Sequence, residues 1–318
     1  MKNRRQVLAA LCLLTALPTA GHAELAYATS LPTGPAAGEW VIDTRPQARC
    51  LADSLAGAHC LPPEALFGPH RRLASIRDIA WVFGTLGLRG DETVTVVGDD
   101  PQRRDVVAAL LHLAGQAQVQ VVTPPLNKLL ADPARPHAAG RARGMVRAPV
   151  YQARAREQQW LLRNDVSAAL LQDSPPRVLD GRPSTAYWGE IIRGLRGGHL
   201  PGAELASEQE LRNALRAGRR ELAARGSVIA YARDAYSGLA YLTLLRAGLG
   251  VDARLYVRGW REWADDARLP VEAATYPEQA SPTSQAVARQ RPWLQSLLVG
   301  TAVLAAAATG FMFGRRTI

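Results

Sequence analysis

Cysteine is the residue of this chain best suited to covalent chemistry, because its thiolate is both a nucleophile and a metal ligand. The sequence has three cysteines, Cys12, Cys50 and Cys60. Cys12 lies in an apolar N-terminal stretch, whereas Cys50 and Cys60 lie close together in the body of the chain. Three states of this pair stay open at the level of sequence: a disulfide, two inert buried thiols, or one reactive thiol.

Metal chemistry is not indicated by the sequence. His70, His112, His137 and His199 are scattered along the chain, and no Cys-x-x-Cys motif accompanies them. A protein zinc site needs clustered Cys and His ligands at short spacings. We therefore expect no metal site and no cofactor.

The N-terminus has the pattern of a secretory signal. Residues 1–23 combine a basic start, an apolar stretch and a small-residue ending, which predicts cleavage before Glu24. An uncleaved N-terminal anchor is the alternative. Export would place the body of the chain in an oxidising compartment, where a Cys50–Cys60 disulfide is favoured.

The C-terminus has the pattern of a membrane anchor. Residues 292–314 contain no charged side chain, and Arg315 and Arg316 follow at once. A stretch of this length spans about 30 Å of hydrocarbon as a helix, and the following arginines favour a cytoplasmic tail over 315–318. The prediction is a single-pass protein of the bacterial inner membrane with its bulk in the periplasm. A buried or amphipathic C-terminal helix is the alternative.

The charge of the chain does not predict a nucleic-acid partner. The formal net charge is +10, but part of the excess lies in the basic residues at the two ends. The sequence contains no dense Lys/Arg run interleaved with aromatic residues, as a nucleic-acid-binding surface would require.

The chain between the two ends predicts a duplicated α/β fold. Short β-branched or apolar runs such as 93–97 alternate with helical patterns, which favours parallel sheets covered by helices. The pattern occurs twice. The predicted boundaries are a linker over 24–38, a first domain over 39–131, a linker over 132–156, a second domain over 157–275 and a juxtamembrane linker over 276–291.

Three ordered motifs of the second half resemble the rhodanese-like family of the two-domain thiosulfate and mercaptopyruvate sulfurtransferase type. Asp180-Gly181-Arg182 is similar to the family's D-x-R after its opening strand. The run 198–203, Gly-His-Leu-Pro-Gly-Ala, resembles the family's G-H-I-P-G-A turn, and 259–263 resembles its G-W-x-x-W. The first half keeps Asp43-Thr44-Arg45 but has a blurred turn over 56–59. The resemblance implies two tandem domains.

The resemblance also identifies the loop where this family places its nucleophile. A family member carries a cysteine there, at the start of a loop whose backbone N–H groups form an anion cradle. Here that position is Ala232, whose methyl group cannot carry sulfur. The corresponding first-half loop, 98–101, also lacks cysteine. The vestigial loop is Ala232, Arg233, Asp234, Ala235, Tyr236 and Ser237.

The predicted function is therefore a catalytically inactive binding module in sulfur metabolism. Arg233, Arg182 and Ser237 are the candidate ligands for an anion, and a sulfur oxyanion or a periplasmic protein is the expected partner, together with the membrane. The alternative is an active sulfurtransferase that uses Cys50 or Cys60 as a displaced cysteine.

Overall fold

The computed structural model describes residues 24–31, 39–144, 150–219, 222 and 226–276. The predicted signal over 1–23, the predicted helix over 292–314 and the tail over 315–318 lie outside this part, as does the juxtamembrane linker beyond residue 276. Among the described residues, no helix combines the length and hydrophobicity that crossing a bilayer requires.

The first domain is built on a five-stranded parallel sheet with the strand order β1-β6-β5-β2-β4. β5 is the β-branched run predicted to be a strand, and it pairs with β2 and β6 in the centre of the sheet. Strands and helices of this domain are β1 (Leu25–Ala28), β2 (Glu39–Asp43), α1 (Gln47–Ala52), β3 (Ser54–Leu55), β4 (His59–Cys60), α2 (Ile76–Leu86), β5 (Thr93–Val97), α3 (Pro101–Leu113), β6 (Gln118–Val122), α4 (Leu126–Leu130) and β7 (His137–Ala138).

The second domain repeats this architecture with the strand order β11-β9-β12-β13-β8, again parallel. A small antiparallel pair, β10 with β14, lies beside the main sheet. The elements of this domain are β8 (Trp160–Leu161), α5 (Arg163–Leu170), β9 (Val178–Asp180), α6 (Ser184–Tyr187), β10 (Gly197–His199), β11 (Ala203–Leu205), α7 (Glu208–Arg216), β12 (Val228–Tyr231), α8 (Ala235–Thr243), β13 (Ala253–Tyr256), α9 (Gly259–Asp265) and β14 (Glu272–Thr275). The α/β class and the two parallel sheets agree with the sequence.

The two predicted linkers are more ordered than their composition suggests. β1, which falls inside the predicted 24–38 linker, pairs in parallel with β6 along its whole length and buries Leu25. β7, inside the predicted 132–156 linker, pairs with β3. At these residues the structure has short strands inside the ranges predicted as linkers, because the edge of a sheet supplies their backbone hydrogen bonds.

The two domains share one hydrophobic core. α3 of the first domain packs against α8 of the second, and the Thr243 hydroxyl donates a hydrogen bond to the Asp105 carbonyl oxygen at 2.8 Å. The Asp105 carboxylate also accepts from the Tyr27 hydroxyl at 2.8 Å and pairs with Arg212 at 2.6 Å. Burial raises the pKa of Asp105 to about 6, although Arg212 acts in the opposite direction. A buried ionic cluster therefore joins the two halves.

Candidate functional site

The vestigial loop lies at the carboxyl end of the central strand of the second sheet. β12 ends at Tyr231 and α8 begins at Ala235. Ala232 is only 2% exposed, and its carbonyl oxygen accepts a hydrogen bond from the Trp260 N–H at 2.9 Å. Gly259 makes this contact possible, since it has a φ of +59° and an added Cβ would lie 2.3 Å from the Ala232 oxygen. The structure thus places Ala232 where the resemblance puts the nucleophile.

The start of α8 is closed by a reciprocal cap. The Asp234 carboxylate accepts hydrogen bonds from the Ser237 N–H at 3.0 Å and from the Ser237 hydroxyl at 2.9 Å, while the Asp234 N–H donates to that hydroxyl at 3.1 Å. Burial would raise the pKa of Asp234, but the Ser237 N–H and the Arg233 charge outweigh it and lower the pKa. A carboxylate of the chain itself therefore occupies the helix N-terminus, where an anion would otherwise bind.

Two of the three predicted anion ligands are committed elsewhere. Ser237 is part of the cap just described. Arg182 is 4% exposed. Two of its guanidinium nitrogens donate hydrogen bonds to the Asp180 carboxylate at 2.6–3.1 Å, and one of them also donates to the Gly198 carbonyl oxygen at 2.7 Å. Its guanidinium also lies 4.3 Å from the ring centre of Trp260. Arg182 therefore joins the three motifs, and its guanidinium is committed to these structural contacts rather than free for an anion.

Arg233 is the most exposed of the three predicted ligands. Its side chain is 44% exposed and pairs with the Asp234 carboxylate at 3.0 Å. Its carbonyl oxygen accepts from the Arg261 N–H at 2.9 Å, which attaches the loop to α9. An incoming anion would have to compete with Asp234 for this guanidinium.

The corresponding loop of the first domain is also filled by carboxylates. Asp100 caps α3 by accepting from the Gln102 N–H at 2.7 Å, and Asp99 accepts from the Asn127 N–H at 2.8 Å. Asp43 and Arg45 repeat the pair formed by the second domain's D-x-R. The duplication therefore extends to the geometry of both motifs, and neither loop contains a thiol.

The two cysteines of the described chain form a disulfide. Cys50 in α1 and Cys60 in β4 have Cα atoms 5.8 Å apart, and both side chains are buried. Gly140 covers the bond: its N–H donates to the Cys50 carbonyl oxygen at 2.9 Å, and an added Cβ would lie 2.5 Å from the Cys50 sulfur. Both sulfurs belong to the first domain, whereas the vestigial loop belongs to the second. Of the three states left open by the sequence, the structure has the bonded one.

A cleft of about 1300 Å³ opens between the domains beside the vestigial loop. The first domain contributes the loop over residues 68–75, and the second contributes Asp234, Ala235 and residues in and around α9 such as Arg258 and Arg261. Tyr236 connects the two walls, because its ring lies 5.6 Å from that of Phe67 and 5.3 Å from the Arg71 guanidinium. Arg71 has a φ of 57°, a left-handed conformation that is strained for a side-chain-bearing residue.

Arginines and carboxylates alternate around this cleft. Arg163 and Arg268 are held by Asp266 at 3.1 and 2.8 Å. Arg72 and Arg261, in contrast, form no ion pair with any residue of the described ranges. Sequence reasoning missed these cleft arginines, although Arg261 lies inside the G-W-x-x-W motif and could have been found from that position. The arrangement offers guanidinium groups to an anionic ligand at the cleft rather than in the loop.

Comparison with known proteins supports a family at the level of structure. No family model matches the chain, and no significant match occurs among curated proteins. A probable thiosulfate sulfurtransferase of solved structure is 25% identical, with a TM-score of 0.52 over 76% of this chain and 99% of the other. The structure of YnjE is 18% identical with a TM-score of 0.58, over 76% of this chain and 64% of the other. The anaerobic ergothioneine biosynthesis enzyme of Chlorobium limicola, solved with trimethyl histidine, is 16% identical with a TM-score of 0.57, over 80% of this chain and 67% of the other.

Proposed function

We propose that this chain, whose tandem domains and structural neighbours support a rhodanese-like family, is a non-catalytic binding module of sulfur metabolism held on the periplasmic face of the inner membrane. Its ligand is an anionic sulfur compound, or a protein that carries one, bound at the arginines of the interdomain cleft. The observation that carries the proposal is the pairing of a methyl side chain at Ala232 with a carboxylate cap at Asp234.

Sulfur transfer of the thiosulfate type needs an attacking thiolate. The thiolate attacks the outer sulfur of thiosulfate, sulfite leaves with the bonding electron pair, and the enzyme keeps a persulfide. Ala232 has no lone pair for this attack. The Asp234 carboxylate also brings a negative charge to the helix end that would stabilise a thiolate or a bound oxyanion. Both changes oppose catalysis in the loop.

The alternative function, transfer through a displaced cysteine, has less support. Cys50 and Cys60 are bonded to each other and buried beneath Gly140. A disulfide sulfur is not a thiolate nucleophile until it is reduced. The pair therefore favours a stabilising role, and such a bond is typical of proteins in an oxidising compartment.

The cleft supports binding because arginine matches the geometry of oxyanions. The guanidinium group presents several N–H donors in a planar fork and stays charged at every physiological pH. Arg258 directly precedes α9, Arg261 lies in its first turn, and both line the cleft together with residues 68–75 of the first domain. Arg258 also lies 3.6 Å from the Glu262 carboxylate. The anchoring part of the proposal depends on the sequence pattern of residues 292–314.

Titration calorimetry with the purified full chain tests the binding. Thiosulfate and sulfate at millimolar concentration should give heat, and the double variant Arg258→Ala/Arg261→Ala should weaken binding at least tenfold. Arg216→Ala, an exposed arginine on α7 outside the cleft, is the matched control and should change nothing. Absence of heat with both anions, or equal binding by the double variant, would refute the cleft site.

A second assay tests the lack of catalysis. Full-length protein incubated with thiosulfate and cyanide should form no thiocyanate above the uncatalysed rate, and intact-mass spectrometry should show no persulfide adduct. Turnover that is lost in Cys50→Ser or Cys60→Ser would instead establish the alternative function.

A further inference from the structure

Four large apolar side chains are exposed at one end of the second domain. Trp188 is 54% exposed, Ile191 37%, Leu195 63% and Tyr276 47%. We refer to these four residues as the exit patch, because Tyr276 is the last described residue before the C-terminal part of the chain. None of them lines the interdomain cleft, so the proposed binding site does not account for their exposure.

A single backbone junction brings the exit patch together. β10 pairs with β14 at Gly197 and Thr275, and the Thr275 hydroxyl donates to the Gly189 carbonyl oxygen at 2.8 Å. Each member of the exit patch lies within two residues of one of these three positions, which limits each separation along the chain to about 7.6 Å between Cα atoms. The four side chains therefore belong to one region of the surface.

The region is held rigidly rather than being a loose loop. The Arg196 guanidinium donates to the carbonyl oxygens of Ala264 at 3.2 Å and Asp266 at 2.6 Å. The Trp188 ring makes an edge contact with His199 at 5.8 Å, which anchors one face of the indole. An exposed apolar cluster on a fixed backbone is a typical feature of an interaction surface.

We propose that the exit patch is a membrane-contact surface that inserts its side chains into the interfacial layer of the bilayer. This inference rests on the membrane anchoring in the proposed function. Residues 277–291 separate Tyr276 from the apolar stretch that begins at Pro292. A random-coil chain of 15 residues has an average end-to-end distance of roughly 19–23 Å. Since Tyr276 is the described residue nearest in sequence to that apolar stretch, the exit patch is the described surface that the sequence keeps nearest the predicted anchor.

The composition of the exit patch fits a lipid interface. Tryptophan and tyrosine concentrate at the headgroup level because each joins an apolar ring to a polar group. The aliphatic side chains of Ile191 and Leu195 would extend from there towards the acyl chains. Arg193, exposed between Ile191 and Leu195, supplies a cation for lipid phosphates.

The segment that directly follows the exit patch has few apolar side chains with which to cover it. Between residues 277 and 291 the only large aliphatic or aromatic residue is Val287. The apolar residues that follow belong to the predicted membrane anchor. A bilayer is therefore the occupant that the sequence keeps closest to this surface.

Spin-label accessibility in liposomes containing the full chain tests the proposal. Labels are placed at Ile191→Cys and Leu195→Cys without reductant, so that the Cys50–Cys60 bond stays closed. Leu171→Cys is the matched control, because Leu171 is equally apolar, 86% exposed and outside the exit patch. At 191 and 195, collisions with lipid-soluble oxygen should exceed those with a water-soluble nickel chelate at least threefold, and the order should reverse at 171.

Two outcomes would overturn the inference while leaving the anchor intact. In the first, the protein floats with the vesicles, but the labels at 191 and 195 collide more often with the nickel chelate than with oxygen, as the label at 171 does. Alternatively, both labels are shielded from oxygen and nickel alike, which would indicate a covering protein surface. Protein that fails to float with the vesicles would refute the anchor and the inference together. Leu195→Glu serves as a second variant and should raise nickel access at 191 with flotation unchanged.

Discussion

The Asp234 side chain and the Ser237 backbone N–H form a 3.0 Å hydrogen bond that closes the amino end of α8. This bond, together with the Ser237 hydroxyl at 2.9 Å, places a carboxylate where the family's loop collects its N–H donors. A cysteine introduced at Ala232 would therefore lie beside the Asp234 carboxylate, and we expect that it would not by itself be a reactive thiol.

The first prediction concerns that restored thiol. Ala232→Cys should give a thiol whose pKa lies above its ordinary value, because the position is buried and the Asp234 charge opposes thiolate formation. Ala232→Cys/Asp234→Asn should react with iodoacetamide at pH 7 several-fold faster, since asparagine keeps the helix cap without the charge. The control is Ala232→Cys/Asp99→Asn, which removes a carboxylate of the other loop and should match the single variant. Identical pH profiles for all three proteins would contradict the role given to Asp234.

The second prediction concerns the disulfide. Replacing both partners, Cys50→Ala and Cys60→Ala, should lower the free energy of unfolding by about 2–3 kcal/mol, because the bond restricts a short loop in the unfolded chain. Urea denaturation of the parent and the variant measures the difference. Reductant should lower the free energy of unfolding of the parent but not of the double variant. If reductant lowers both, its effect does not come from breaking the Cys50–Cys60 disulfide.

The third prediction concerns the ionic cluster at the domain interface. Arg212 pairs with Asp105 at 2.6 Å and with Glu208 at 2.9 Å, and its side chain is 11% exposed. Arg212→Ala would leave the buried Asp105 and the half-buried Glu208 without their cation and should destabilise the protein by about 3 kcal/mol. Arg216→Ala, one turn further along α7, is exposed and should change stability by less than about 0.5 kcal/mol. Equal effects of the two variants in urea denaturation would exclude a special role for the cluster.

The fourth prediction concerns acid stability. His112 is 1% exposed, and burial, helped by the Arg156 charge, lowers its pKa from 6.5 to about 4. Below pH 6.5 the imidazole of His112 becomes protonated in the unfolded chain but stays neutral in the folded protein. His112 therefore makes its full contribution to the free energy of unfolding above pH 6.5. As the pH falls towards 4, that contribution decreases by roughly 3 kcal/mol.

The measurement is a comparison of the parent with His112→Gln, which cannot titrate. Urea denaturation at pH 7, 5.5 and 4.5 should show that the parent loses stability faster than the variant as the pH falls. The difference between the two proteins isolates His112 from other groups such as Asp105, whose raised pKa acts in the opposite direction in the same range. Parallel pH profiles would contradict the buried neutral imidazole.

The sequence alone determined the fold class and the position of the vestigial loop. Asp180, His199 and Trp260 lie in motifs whose members are a few residues apart. Such motifs record local geometry, a strand end, a turn and a helix start, so they can be recognised without the tertiary structure. The absence of a thiol at Ala232 is likewise a property of one position in the sequence, and the structure places that position where the motifs predict.

Only the tertiary structure decided what the individual side chains do. Arg182 stacks on Trp260 across 78 residues of chain, which turns a predicted anion ligand into a structural contact. β1 became a strand because the free edge of β6 lies 94 residues away in sequence but adjacent in space. The interdomain cleft likewise forms only because residues far apart in sequence lie next to each other in the folded protein. These outcomes depend on how whole elements pack, and packing is set by the combined burial of residues far apart in sequence rather than by any local pattern.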